Sequence, residues 1–216
     1  MDNFAAIDTY EQFLMGKRKL SLSGTDQEKE KQACAILRFA VENLLGWTPK
    51  DALECLTPEV LMCLRLNSVL KYIKTPRDVF PELDIGWYLA KAFPNEIKYD
   101  ISKSAIILYR QIMAGQRTRF PKCFFAGPRG QKKAEAILWH VIKDRLAITE
   151  DSTPLYELFA DNAKIKIYLK KWKLASVCKS YFESPVEYLH GALPNSMKDT
   201  FLLNAYQFRK VYQFMT

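Results

Sequence analysis

The sequence predicts an all-α fold, an irregular bundle or array of short-long helix pairs with no substantial sheet. Apolar residues recur at three- and four-residue spacing along most of the chain, which marks helices that bury one side. A hydroxyl residue followed by Pro recurs as a helix start, at Thr48-Pro49, Thr57-Pro58, Thr75-Pro76, Thr153-Pro154 and Ser184-Pro185. Only 8 Gly and 10 Pro punctuate 216 residues, too few for a turn-rich β architecture.

The first helix spans about residues 3–15, where Ile7, Tyr10, Phe13 and Leu14 share a face and Gly16 stops it. Lys17-Arg18-Lys19 opens a linker to Gly24. Thr25-Asp26-Gln27-Glu28 is a capping box, in which the Thr hydroxyl and the Glu carboxylate satisfy amides that the helix start leaves unpaired. The long helix after it buries Ala33, Ile36, Leu37, Ala40, Val41, Leu44 and Leu45, and Gly46 supplies a left-handed stop.

At each hydroxyl-Pro start, the residue before Pro is held extended and serves as N-cap, and Pro is harmless at the first helical position. Three short-long pairs follow: 50–56 before 58–73, 155–160 before 164–181, and 186–193 before 197–214. Their spacing fits no named solenoid. Asp84–Phe93 is a further helix, ended by Pro94, and Asp100 caps another that runs to Gly115 with Ile101, Ala105, Leu108, Tyr109, Ile112 and Met113 inward. From Gln131 to Ile148, the stripe Ala134, Ile137, Leu138, Val141, Ile142 and Leu146 predicts a packed helix, with Lys133, His140 and Lys143 on a face away from it. Residues 164–173 alternate like a strand as well as repeating like a helix, and their neighbours decide for helix. The last helix closes the core through Phe201, Ala205, Phe208 and Val211 or Tyr212, and its other aromatics make it a candidate for self-association.

The net charge of +8 is unevenly placed. Residues 1–97 carry 12 Lys+Arg against 14 Asp+Glu and read as a near-neutral helical scaffold, whereas residues 98–216 carry 20 against 10 and form a basic half, in one continuous domain or two. Such a field points to nucleic acid, an anionic surface or an acidic protein. The stretch from Arg110 to Lys133 holds seven basic residues and no acid, mixed with aromatics and glycines as in an ordered loop. It leads into a helix N-terminus, where unpaired amides and the dipole favour an anion. Arg117, Arg119, Lys122, Arg129, Lys132 and Lys133 are its candidate phosphate contacts. Phe120, Phe124 and Phe125 either stack on bases or anchor the loop. A second acid-free run, Lys164 to Lys173, adds Lys166, Lys170, Lys171 and Lys173, and after the break at Asp161-Asn162 it is placed like the second helix of a helix-turn-helix, without the turn glycine.

Five scattered cysteines without a Cys-x-x-Cys pair indicate a reduced, cytoplasmic chain with cysteines used as small core residues. No segment is apolar for long enough to span a bilayer, and the apolar side of 164–173 is no larger than core packing needs, so no membrane partner is expected. No metal-ligand cluster, cofactor motif or nucleophile context appears. The glycines at 127 and 130 are too close for a phosphate-binding loop, and no hydroxyl follows Lys133. No catalytic residues are assigned.

Phe120-Pro121-Lys122-Cys123-Phe124-Phe125 before Gly130, with Ser184-Pro185-Val186-Glu187-Tyr188-Leu189-His190-Gly191-Ala192-Leu193-Pro194, resembles small all-helical bacterial proteins classed only as domains of unknown function. The resemblance implies a helical second half and no activity. The leading expectation is a helical protein binding nucleic acid, DNA rather than RNA, as regulator or architectural protein. The alternative is a helical adaptor for a peptide or an acidic protein.

Overall fold

The computed structural model describes residues 3–75, 85–121, 123–127, 129–146 and 153–213, with side chains as far as residue 205. The described residues are helices joined by turns, with no strand among them. They form two compact units, Met1–Phe124 and Phe125–Thr216. This division falls inside the basic stretch, and it leaves 18 Lys+Arg against 15 Asp+Glu in unit 1 and 14 against 9 in unit 2.

Unit 1 is organised by α2 (Asp26–Phe39), which packs against α1 (Asn3–Leu14), α5 (Asn67–Leu70) and α6 (Ile85–Ala92). Thr25 and Glu28 form the expected reciprocal cap, with the Thr25 amide donating to Glu28 Oε2 at 2.7 Å. Ile36, Leu37, Ala40 and Val41 are fully buried. Past Phe39 the coil widens into a π-turn over Ala40–Leu44 before Gly46 takes the left-handed conformation (φ +66°). Thr48 and Asp51 repeat the capping box for α3 (Pro49–Cys55), which leans on α6. Asp100 caps α7 (Ile101–Met113) through the amides of Ser102 and Lys103.

The single helix expected over 58–73 is two short ones, α4 (Pro58–Cys63) and α5, separated at Arg65. Arg65 adopts a left-handed φ of 51°, and the amide of Leu66 bonds back to the Leu61 carbonyl at 2.8 Å, the bonding of a glycine-terminated helix end without the glycine. Two contacts offset the steric cost: Arg65 Nη1 donates to the Phe13 carbonyl at 2.9 Å with its guanidinium 5.0 Å from the Phe13 ring, and Leu66 is fully buried. The helix expected after Thr75, from Pro76 onward, lies outside the described residues.

Unit 2 centres on α9 (Thr153–Ala160) and α12 (Pro185–Ala192). The second of these packs against α8 (Gly130–Leu146) as well as α9, and α9 also meets α10 (Asn162–Lys171) and α13 (Asn195–Gln213). Ser184 caps α12 as its Pro predicts. The long helix expected over 164–181 is also divided, into α10 and α11 (Ala175–Tyr181), by the same device: Lys173 is left-handed (φ 56°), the Leu174 amide bonds to the Leu169 carbonyl at 2.8 Å, and Leu174 is fully buried. Of the three short-long pairs, α12 with α13 keeps its form.

Candidate functional site

Each basic run takes its geometry from the helix that carries it. In unit 1, α7 ends at Gly115 (φ +78°) and turns back so that Arg117 approaches its own helix, donating from Nε to Gln111 Oε1 at 2.8 Å. Arg117 is half-buried, and desolvation holds its guanidinium below the ordinary arginine range. Arg119 is exposed, and Lys122 lies outside the described residues. Phe120 stacks between Tyr109 and Phe124 at ring-centroid distances of 6.4 and 5.7 Å, and Phe124 is buried. Phe125, in unit 2, is buried too. The aromatics of this loop anchor it.

In unit 2, Gly127 takes φ +76°, and the Gly130 amide bonds to its carbonyl at 3.0 Å as α8 begins. The Phe125 carbonyl oxygen presses on the Cα of Gly130, where any side chain would collide with it. A backbone oxygen therefore stands beside the electropositive helix start. Arg129 is half-buried and Lys132 exposed. Lys133 is only 4% exposed, which corrects the expectation that it faces away from the packed stripe. At about 100° per residue it lies roughly 40° from Ile137, close enough for the packing to include it. His140 is corrected likewise: its side chain is 12% exposed, with Nε2 3.2 Å from Asp144 Oδ2.

The lysines of α10 have a different setting. Asp161, the one residue between α9 and α10, accepts hydrogen bonds from the amides of Ala163 and Lys164 at 3.0 Å each, and these bonds hold its carboxyl below the usual range. So tight a corner differs from the three- or four-residue turn of a helix-turn-helix. Ile165, Leu169 and Trp172 are buried, which fixes the helix rotation. Lys164, Lys166, Lys170 and Lys171 are consequently exposed, as is Lys173 beyond the helix end. Lys164 pairs with Asp161 at 3.7 Å, while no carboxylate among the described residues ion-pairs with Lys166, Lys170 or Lys171. Ile167, 69% exposed, and Tyr168 lie among these lysines.

Sequence spacing thus identifies two basic runs, and the structure sorts them. The run that leads into α8 spends its aromatics and Lys133 on packing, whereas α10 turns its lysines outward. Residues 105–198 match the family model described as Protein of unknown function (DUF4046). The matched segment takes in all of α8 to α12 and both basic runs. No curated protein and no solved structure matches the chain.

The five cysteines are free, Cys34 and Cys178 buried and Cys55, Cys63 and Cys123 exposed, so three of them are not the core residues expected. Among the described residues no three His, Cys, Asp or Glu side chains are grouped to hold a metal, and no helix is long and apolar enough to cross a membrane.

Proposed function

We propose that the chain binds nucleic acid through its phosphate backbone, using the outward face of α10. The observation that carries this reading is the rotation of α10: burial of Ile165, Leu169 and Trp172 leaves Lys166, Lys170 and Lys171 exposed, without a carboxylate partner among the described residues. Lys164 and Lys173 extend the run at its two ends, and Arg119, Arg129 and Lys132 are further candidate contacts.

The chemistry of the face favours binding without sequence readout. Every cation on α10 is a lysine, a point charge on a flexible stem, rather than an arginine fork that reads guanine edges in pairs of bonds. Phosphate contacts position a protein without specifying bases. Tyr168, exposed among the lysines, offers one ring to stack on an unpaired base.

The test is fluorescence anisotropy with labelled duplex DNA, single-stranded DNA and RNA, on the wild type and on a Lys166→Glu/Lys170→Glu/Lys171→Glu variant. The proposal expects measurable affinity for DNA and at least about a hundredfold loss in the variant. Equal affinity of both proteins would remove α10 from the interface. A variant that instead binds a basic peptide, where the wild type binds an acidic one, would favour a protein partner.

A further inference from the structure

Unit 1 contains a shallow hollow, open to solvent at its mouth, whose enclosed part admits only about one water-sized group. Leu53 of α3, Ile85 of α6 and Ile107 and Leu108 of α7 give it apolar walls, and Ser104, Gln111 and Arg117 supply its polar groups. Gln111 is 4% exposed and is itself fixed, donating from Nε2 to the Glu54 carbonyl at 3.1 Å. Its Oε1 accepts from Arg117 Nε at 2.8 Å. The guanidinium plane is thereby set by a buried amide, and Nη1 and Nη2 make no hydrogen bond among the described residues.

A half-buried cation ordinarily has a carboxylate against it, because burial without a partner is costly. Glu59 influences Arg117 through space, yet no carboxylate of the described residues is within ion-pair distance of it. The Glu59 carboxylate is engaged with its own backbone amide and the Thr57 hydroxyl at the start of α4. The structure therefore presents a fixed two-donor fork at the edge of an apolar hollow. This chemistry matches a carboxylate, which accepts two parallel bonds from such a fork, better than a doubly charged phosphate, for which one cation and aliphatic walls provide little.

We infer that the open mouth of this hollow binds a short aliphatic monocarboxylate, with its carboxylate on the Arg117 guanidinium and its first carbons over the partly exposed Leu53 and Ile85. Gln111 is a positioning residue that sets the fork. The site is built from residues of unit 1 and uses none of the lysines of α10, so either reading can fail without the other.

The test uses the full chain labelled with ¹⁵N, titrated with sodium propionate, with propionamide as the uncharged isostere and with sodium chloride and inorganic phosphate as ionic controls. The inference expects saturable shifts of the Arg117 Nε–Hε and Ser104 amide signals with a Kd of about 1 mM or tighter for propionate. Propionamide, chloride and phosphate should leave those signals unsaturated. Arg117→Met should weaken propionate at least about tenfold, and Lys50→Met, at an exposed cation elsewhere in unit 1, should leave it unchanged. Absence of saturation by propionate, equal response to propionamide or phosphate, or undiminished binding by a folded Arg117→Met chain would overturn it. Should Arg117→Met fail to fold, the propionate and propionamide comparison on the wild type decides alone.

Discussion

The Tyr188 hydroxyl donates to the Ala134 carbonyl at 2.8 Å, a buried bond that ties α12 to α8 across fifty-four positions of sequence. Tyr188 also stacks on Phe182 with ring centroids 4.2 Å apart, so its ring packs within unit 2 while its hydroxyl serves α8. Tyr188→Phe keeps the stacking and removes the bond. Urea denaturation should show a loss of about 1 kcal/mol with an unchanged m-value.

Two glycines of unit 2 should respond very unequally to a methyl group. At Gly130 the obstacle is the Phe125 backbone carbonyl, which cannot yield without moving the start of α8. At Gly191 it is Glu135 Oε1 at 2.5 Å, the end of a flexible side chain. Gly130→Ala should destabilise by at least about 3 kcal/mol. Gly191→Ala should stay within about 1 kcal/mol, since relief of glycine's helical penalty offsets displacement of Glu135. Thermal melts of the two variants measure the difference.

Lys173 is left-handed without being glycine, at the joint between α10 and α11. Lys173→Gly removes the Cβ clash but adds freedom to the unfolded chain, so the net expectation is stabilisation of up to about 1 kcal/mol. Chemical denaturation of this variant reads the balance directly.

Stability should fall at both ends of the pH scale, for different groups. Glu28, Asp51 and Asp161 have carboxyl pKa values lowered by hydrogen bonds at helix starts, from the Thr25 backbone, the Thr48 side chain and the Lys164 backbone respectively. A depressed folded pKa adds stability that is present above the unfolded value of about 4 and lost as pH falls through the folded one. Thr25→Ala should blunt this acid limb and cost about 1 kcal/mol at neutral pH. On the alkaline side, burial pushes the Cys34 thiol up to about 11. Its neutral form is favoured in the fold, so stability is lost as pH rises from the unfolded value of about 8.5 towards the folded one. Cys34→Ala should flatten that limb, as measured by melting temperature across pH.

The all-helical fold was legible because its signals are local. Thr25 with Glu28, Thr48 with Asp51, and Ser184 before Pro185 each cap the helix that their spacing announces, and the stripe from Ala134 to Ile142 is buried as its periodicity requires. The breaks at Arg65 and Lys173 were not legible, because the chain ends those helices as if a glycine were present. What holds Arg65 left-handed is Phe13, fifty-two residues away, and at both breaks the following leucine is buried in the core. The candidate site was legible in composition but not in orientation. Lys133 and Lys166 look alike in sequence, and only the rotation of each helix, set by its apolar neighbours, buries one and exposes the other.

The salt dependence of DNA affinity tests the central claim most directly. Contact of four phosphates by the α10 lysines should give log K falling against log salt with a slope of about −3.6, roughly a hundredfold loss between about 50 and about 200 mM. Lys166→Glu/Lys170→Glu/Lys171→Glu should flatten that slope by about 2.7. Affinity that ignores salt, or a slope the triple variant leaves intact, would contradict a phosphate-binding face on α10.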